Sequence, residues 1–85
     1  FNEISSLMIY PNPNNGAFTL NLKSSSNEDI KVDVYDVRGR LIYNNAFNNT
    51  TDFSQVIKLN SIQSGVYLVR VTDGERKSIK RIVVE

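Results

Sequence analysis

Apolar and polar residues alternate in short bursts along this chain, and turn-forming residues separate the bursts. In Ala17-Phe18-Thr19-Leu20-Asn21-Leu22 the apolar Phe18, Leu20 and Leu22 alternate with Thr19 and Asn21. Successive side chains of a strand point to opposite faces, so this period predicts a strand with one buried face. Ile30, Val32 and Val34 repeat the pattern within Ile30–Asp36, Val37-Arg38-Gly39-Arg40 turns the chain, and Leu41-Ile42-Tyr43 begins another strand. Phe53 to Leu59 resumes the alternation. Gly65 to Thr72 is apolar on both faces for most of its length, which predicts a central strand. Asp73-Gly74 predicts a hairpin turn, and Lys77 to Val84 the last strand, antiparallel to the one before. Leu7 to Tyr10 is a short apolar run stopped by Pro11-Asn12-Pro13-Asn14-Asn15-Gly16, where two prolines and an Asn-Gly predict a turn. Lys23 to Asp29, Asn44 to Asp52 and Asn60 to Ser64 are polar and predict exposed loops. No stretch holds a helical period. About seven short strands at roughly 8–12-residue spacing predict an all-β antiparallel sandwich.

Composition narrows the function more than the fold. The chain has 85 residues, enough for one domain. Residues 1–6 are read as the end of a linker and 7–85 as the domain. The chain begins with Phe1 rather than Met and is read as a piece of a longer protein. Ten basic and nine acidic residues leave a net charge of +1, so no global field draws in a polyanion and nucleic acid is not an expected partner. No apolar run approaches the ~20 residues of a membrane helix. Cysteine and histidine are both absent, which removes disulfides, the usual zinc sites and most nucleophile–base pairs. No cofactor and no metal is expected.

The remaining candidates for chemistry each have a plain structural reading. Glu28 and Asp29 sit in a Ser-rich loop without a partner that would raise a carboxyl pKa. Asp33 and Asp36 are an odd number of steps apart and fall on opposite faces of a strand. The oxygens of Asn44 to Asp52 lack the spacing of a calcium loop. Gly16 and Gly39 are isolated turn glycines, with no phosphate-binding spacing around them. Tyr10, Tyr35, Tyr43, Phe47 and Phe53 are either a sugar-stacking platform or rings that cover the core edge. Arg76, Lys77, Lys80 and Arg81 form the one basic concentration, which guards an edge strand or serves as a docking handle. No catalytic constellation emerges, so an enzyme is not expected.

Three further features have clear physical roles. Pro11 and Pro13 fix φ and remove two N–H donors, which keeps that segment out of a sheet interior. Gly16, Gly39 and Gly74 permit turn conformations that a Cβ makes costly. Tyr67 is expected to bury its ring and send its hydroxyl to a partner at the sandwich edge.

Four segments together carry a resemblance. Tyr10-Pro11-Asn12-Pro13 with Asn15-Gly16-Ala17-Phe18, then Asp36-Val37-Arg38-Gly39-Arg40-Leu41-Ile42, then Leu59 to Val71 centred on Gly65-Val66-Tyr67, and finally Lys77, Lys80 and Arg81 before a terminal apolar strand occur in order. This series resembles the type A C-terminal sorting domain of the bacterial type IX (Por) secretion system. One departure is that Arg81 and Glu85 stand where the family often has terminal lysines. The resemblance implies an immunoglobulin-like sandwich that labels an upstream cargo domain for passage across the outer membrane. It implies recognition by the outer-membrane translocon and its shuttle protein, in some members removal by a surface signal peptidase, and residence in the periplasm and then at the cell surface or outside. It assigns recognition to Pro11, Asn12, Pro13, Gly16, Gly39, Arg40, Gly65, Tyr67, Lys77, Lys80 and Arg81. Weak self-association through exposed strand edges is a further expectation. The alternatives are a carbohydrate-binding module or a fibronectin-like structural spacer of an exported enzyme or adhesin.

Overall fold

The computed structural model describes residues 3–85. Its seven strands are β1 (Met8–Tyr10), β2 (Ala17–Lys23), β3 (Ile30–Asp36), β4 (Leu41–Phe47), β5 (Asp52–Lys58), β6 (Gly65–Asp73) and β7 (Arg76–Val84). They form two antiparallel sheets, a three-stranded one in the order β1-β2-β5 and a four-stranded one in the order β4-β3-β6-β7. This is the expected antiparallel β-sandwich of immunoglobulin type. The chain's fourth strand lies in the sheet with β3, β6 and β7, unlike the division found in antibody constant domains.

The alternation in the sequence sets which face each strand buries. Phe18, Leu20 and Leu22 of β2 meet Ile30, Val32 and Val34 of β3, Phe53 and Ile57 of β5, and Tyr67, Val69 and Val71 of β6 in one core. β6 lies between β3 and β7, the interior position its apolar run predicts. Its outer-face residues Val66 and Leu68 remain partly exposed.

Three local readings change. β4 runs on through Asn44, Asn45 and Ala46 to Phe47, a stretch expected to be loop. Its backbone bonds come from β3, with Ile30 opposite Phe47 and Lys31 opposite Ala46, and an edge strand can stay polar because solvent covers it. The last hairpin turns on Gly74-Glu75, since Asp73 still pairs with Arg76. Gly74 takes φ +61° at the first loop position, the pattern of a type II′ turn. Within the stretch read as linker, Phe1 and Asn2 lie outside the described residues, whereas Ile4 belongs to the core at 2% exposure. The Ile4 N–H donates to Ser78 Oγ at 2.7 Å, and the Lys23 N–H donates to Ser6 Oγ at 2.8 Å.

The registers gather the connections at two poles of a body measuring 34 × 21 × 20 Å. One pole holds loops 11–16, 37–40 and 59–64 and the end of β7, because Ala17 pairs with Lys58, Asp36 with Tyr67 and Gly65 with Val84. The other holds loops 24–29, 48–51 and 74–75, since Lys23 pairs with Asp52 and Ile30 with both Phe47 and Asp73.

Candidate functional site

The first pole is built from segments far apart in sequence. Loop 11–16 carries the chain from the three-stranded sheet across to the edge of the four-stranded one. There Asn12 Nδ2 donates to the Arg81 carbonyl at 3.1 Å, and the Val83 N–H donates to Asn12 Oδ1 at 2.9 Å. The Asn14 N–H donates to the Val83 carbonyl at 2.9 Å, and the Glu85 N–H to the Asn14 carbonyl at 2.8 Å. Asn14 and Val84 thus form a parallel bridge. The prolines stand where the chain changes sheets, and their missing donors leave nothing unpaired there. Asn14 is itself buried, with Nδ2 donating to the Pro11 carbonyl at 3.0 Å and Oδ1 accepting from the Gly16 N–H at 2.9 Å.

Gly16 joins this loop to the next. It has φ +104°, and a Cβ there would lie 3.0 Å from Ile62 Cγ2 and 3.1 Å from the Leu59 carbonyl oxygen. The Leu59 N–H donates to the Gly16 carbonyl at 2.7 Å. Within the 59–64 loop Ser61 holds φ +55°, in the left-handed region. Tyr67 is 8% exposed, and its hydroxyl donates to the Gln63 carbonyl at 2.7 Å, fastening this loop to β6. The arrangement is like the tyrosine corner of other sandwiches, where the hydroxyl bonds back to the backbone a few residues upstream.

The 37–40 turn is organised by Asp36. Its Oδ1 accepts from the N–H groups of Arg38 at 2.9 Å and Arg40 at 3.0 Å, and its Oδ2 accepts from Arg40 Nε at 3.0 Å. The backbone N–H of Arg40 is the main cause of an Asp36 pKa held below its ordinary value. Gly39 has φ +82° and open space around it. Between this turn and the 59–64 loop lies an open groove of about 650 Å³, with Tyr43, Leu59, Ile62 and Tyr67 along it and Arg38 and Arg40 at its border.

Of the residues singled out for recognition, Pro11, Asn12, Pro13, Gly16, Gly39, Arg40, Gly65 and Tyr67 meet at this pole, and Arg81 reaches it through its carbonyl. Gly16 and Tyr67 are buried and shape the pole from beneath. Lys77 and Lys80 lie farther along β7, opposite Thr72 and Val69, both exposed. Arg76 leaves the basic cluster altogether: its Nη2 binds Asp73 Oδ2 at 2.6 Å and the Lys23 carbonyl at 2.8 Å.

The aromatic candidates make no platform. Phe53 is in the core, Phe47 packs against it with centroids 5.9 Å apart, and Tyr43 also packs on the core. Tyr35 lies under the Arg70 guanidinium on the outer face of the four-stranded sheet, while Tyr10 belongs to the other sheet. Glu28 and Asp29 are exposed, and the described residues contain no group of carboxylates placed to hold a metal ion.

At the opposite pole Asp73 is a buried anchor that the sequence reading passed over. Ser24 Oγ, the Ser25 N–H and Ser26 Oγ donate to its carboxylate at 2.9, 3.0 and 2.5 Å. Asn49 Nδ2 extends the network to Ser24 Oγ at 2.6 Å and to the Glu28 carbonyl at 2.8 Å.

A small sandwich of two antiparallel sheets whose distant loops are tied into one pole belongs to the class of immunoglobulin-like β-sandwich folds. A protein with an immunoglobulin-like β-sandwich fold from Bacteroides vulgatus has the same architecture, with a TM-score of 0.71 and 16% identity over 94% of this chain and 85% of that one. The chain belongs to the secretion system C-terminal sorting domain family, which residues 8–85 match. It is similar to an endo-acting ulvan lyase of Formosa agariphila, 33% identical over 95% of this chain. It is also similar to an ulvan lyase of Nonlabens ulvanivorans, 31% identical over 88% of this chain. The chain spans only 15% and 13% of the lengths of those two relatives.

Proposed function

We propose that this domain directs an attached cargo across the outer membrane through the type IX secretion system, and that the pole formed by loops 11–16, 37–40 and 59–64 is the surface the machinery reads. The cargo precedes the domain in the chain, passes through the periplasm and ends at the cell surface or outside, and the domain itself performs no chemistry. The observation that carries this reading is convergence. Segments separated by up to about 70 positions are bonded into one pole, while the described N-terminal residues, Ile4 to Ser6, lie along β7 and β2 nearer the other pole. A cargo attached there leaves the first pole free. The rings are dispersed over both sheets, with Phe53, Phe47 and Tyr43 packed in or on the core, which counts against a sugar-binding module.

The test fuses the chain to a fluorescent reporter in a bacterium with the secretion system. Val37 is 73% exposed and Arg38 is exposed at the pole, so Val37→Asp with Arg38→Glu is expected to leave the fold intact, which circular dichroism checks. Secretion is expected to fall several-fold, while Glu75→Lys at the opposite pole leaves it unchanged. Wild-type secretion of the Val37/Arg38 variant refutes the pole as the recognition surface. Failure of the unmodified fusion to leave the cell refutes the sorting role itself.

A further inference from the structure

The sandwich has four edges, and three of them are blocked. β1 is only three residues long and stops at Pro11. β7 is covered at one end by Asn12 and Asn14, has Ile4 bonded to Ser78, and exposes Lys77, Lys80 and Arg81. β5 carries Asp52 and Lys58 at its ends, and the Gln55 side chain donates to the Val56 carbonyl at 3.1 Å. Short strands, charges, prolines and covering loops are the usual means of stopping strand addition. β4 is the least protected: Leu41-Ile42-Tyr43-Asn44-Asn45-Ala46-Phe47 is seven residues long with no charge and no proline, and its devices are a bulge at Ile42 and the Asn45 side chain on the Ala46 N–H.

The hydrogen-bond directions of β4 follow from the hairpin. The Asp36 N–H donates toward β4, to the Arg40 carbonyl, so the even residues of β3 bond to β4. Their partners are Tyr43, Asn45 and Phe47. Asn44 and Ala46 therefore turn their backbone groups outward. The Asn45 side chain agrees, because its Oδ1 accepts from the outward Ala46 N–H at 2.9 Å. A register shift at Val34/Tyr35 leaves Ile42 as the extra residue, so the regular part of the edge is Tyr43 to Phe47.

We propose that this edge pairs with the same edge of a second copy of the chain, antiparallel, with Asn45 on the two-fold axis. In that register Asn44 and Ala46 of each chain exchange reciprocal backbone bonds with Ala46 and Asn44 of the other. Asn45 releases its own Ala46 N–H to make them. On the inner face Tyr43 stands opposite Phe47 of the partner copy, twice over, and cross-strand aromatic pairs of this kind stabilise a sheet. No like charges meet. The two four-stranded sheets become one continuous sheet. Ile4, bonded to Ser78 on β7, lies at the opposite edge of the same sheet, away from β4. The inference does not depend on the sorting reading. A single strand pair buries less than a standard interface, so the dimer is weak and forms at high local concentration.

Sedimentation equilibrium of the 85-residue chain from about 10 µM to about 1 mM tests this, a range suited to weak association. The mass is expected to rise from 9.6 kDa toward twice that value. Slowed amide exchange at Asn44 and Ala46 should accompany the rise. Ala46→Pro removes an outward N–H that β3 does not use and should hold the protein at the monomer mass with native circular dichroism. Asn45→Lys sets two like charges face to face and should do the same even if the proline variant misfolds. Ser54→Lys on β5 should associate as the wild type does. A chain that stays monomeric throughout, or a dimer that survives Asn45→Lys, overturns the proposal.

Discussion

Replacing Asp73 by Asn keeps the size of the side chain and removes its charge. Asp73 ends β6 on the buried face at 1% exposure, with Ser24, Ser25, Ser26 and Arg76 as donors. Burial raises its pKa, but the hydrogen bonds from Ser26, Arg76, Ser25 and Ser24 together outweigh burial and leave it at about 2 against an ordinary 3.8. At about 1.4 kcal/mol per unit, that gap is on the order of 2 kcal/mol of stability. The sign follows from the depressed value. The unfolded carboxyl gives up its proton near pH 3.8 and the folded one near pH 2, so the contribution is complete above pH 3.8 and is lost as pH falls through 2. In Asp73→Asn the amide oxygen can take over the Ser25 N–H and Arg76 donors at the Oδ2 position, but the NH₂ then stands where Oδ1 accepted from the Ser24 and Ser26 hydroxyls, so those two donations and the charge facing Arg76 are lost. The variant is expected to lose about 2–3 kcal/mol at neutral pH. For a domain of this size that lowers Tm by on the order of 10 °C. Urea unfolding of both proteins from pH 7 to pH 2 measures the difference, which should shrink to a small remainder at the acid end. A difference that stays constant over the whole range refutes the assignment of this stability to the ionised carboxylate.

Other positions give simpler tests. Gly16→Ala combines φ +104° with a crowded Cβ and should cost about 2 kcal/mol or more in urea denaturation. Tyr67→Phe keeps the buried ring and loses the bond to Gln63, so a loss of about 1 kcal/mol is expected, with faster amide exchange in the 59–64 loop. Ser61→Gly removes the Cβ at φ +55° and should be neutral to mildly stabilising, by up to about 1 kcal/mol, in thermal melts. Asp36→Ala unties the 37–40 turn and is expected to lower the urea midpoint at pH 7, by an amount that diminishes in acid because the Asp36 pKa is lowered.

The two-residue period was enough to place β2 and β3, because alternate side chains of a strand share one face, and the apolar run on both faces was enough to place β6. The period also contained a signal for Asp73 that the reading did not use: the buried series Tyr67, Val69, Val71 continues by the same step to Asp73. What completes Asp73 lies about 48 positions away in the Ser24–Ser26 loop, and no local pattern announces that meeting. The strand character of Asn44 to Ala46 was hidden for a similar reason, since β3 supplies its bonds and burial does not. Ile4 is a lone apolar residue among polar ones and shows no period. The motifs marked the turns of the first pole correctly as turns. Their meeting, above all Gly16 against Ile62 and Asn12 against Arg81, is a property of the closed sandwich alone.

The bonds between Asn12, Asn14 and the final residues also govern when the pole can exist. A chain that is made or delivered from its N-terminus presents loop 11–16 long before Arg81, Val83 and Glu85 arrive to hold it. Until then the crossing between sheets has no edge to grip, and β6 lacks one of its neighbours. Pairings over such sequence distances form late in folding. The pole therefore does not exist on a polypeptide that still lacks β7, and a receptor that bound it would bind only the closed sandwich.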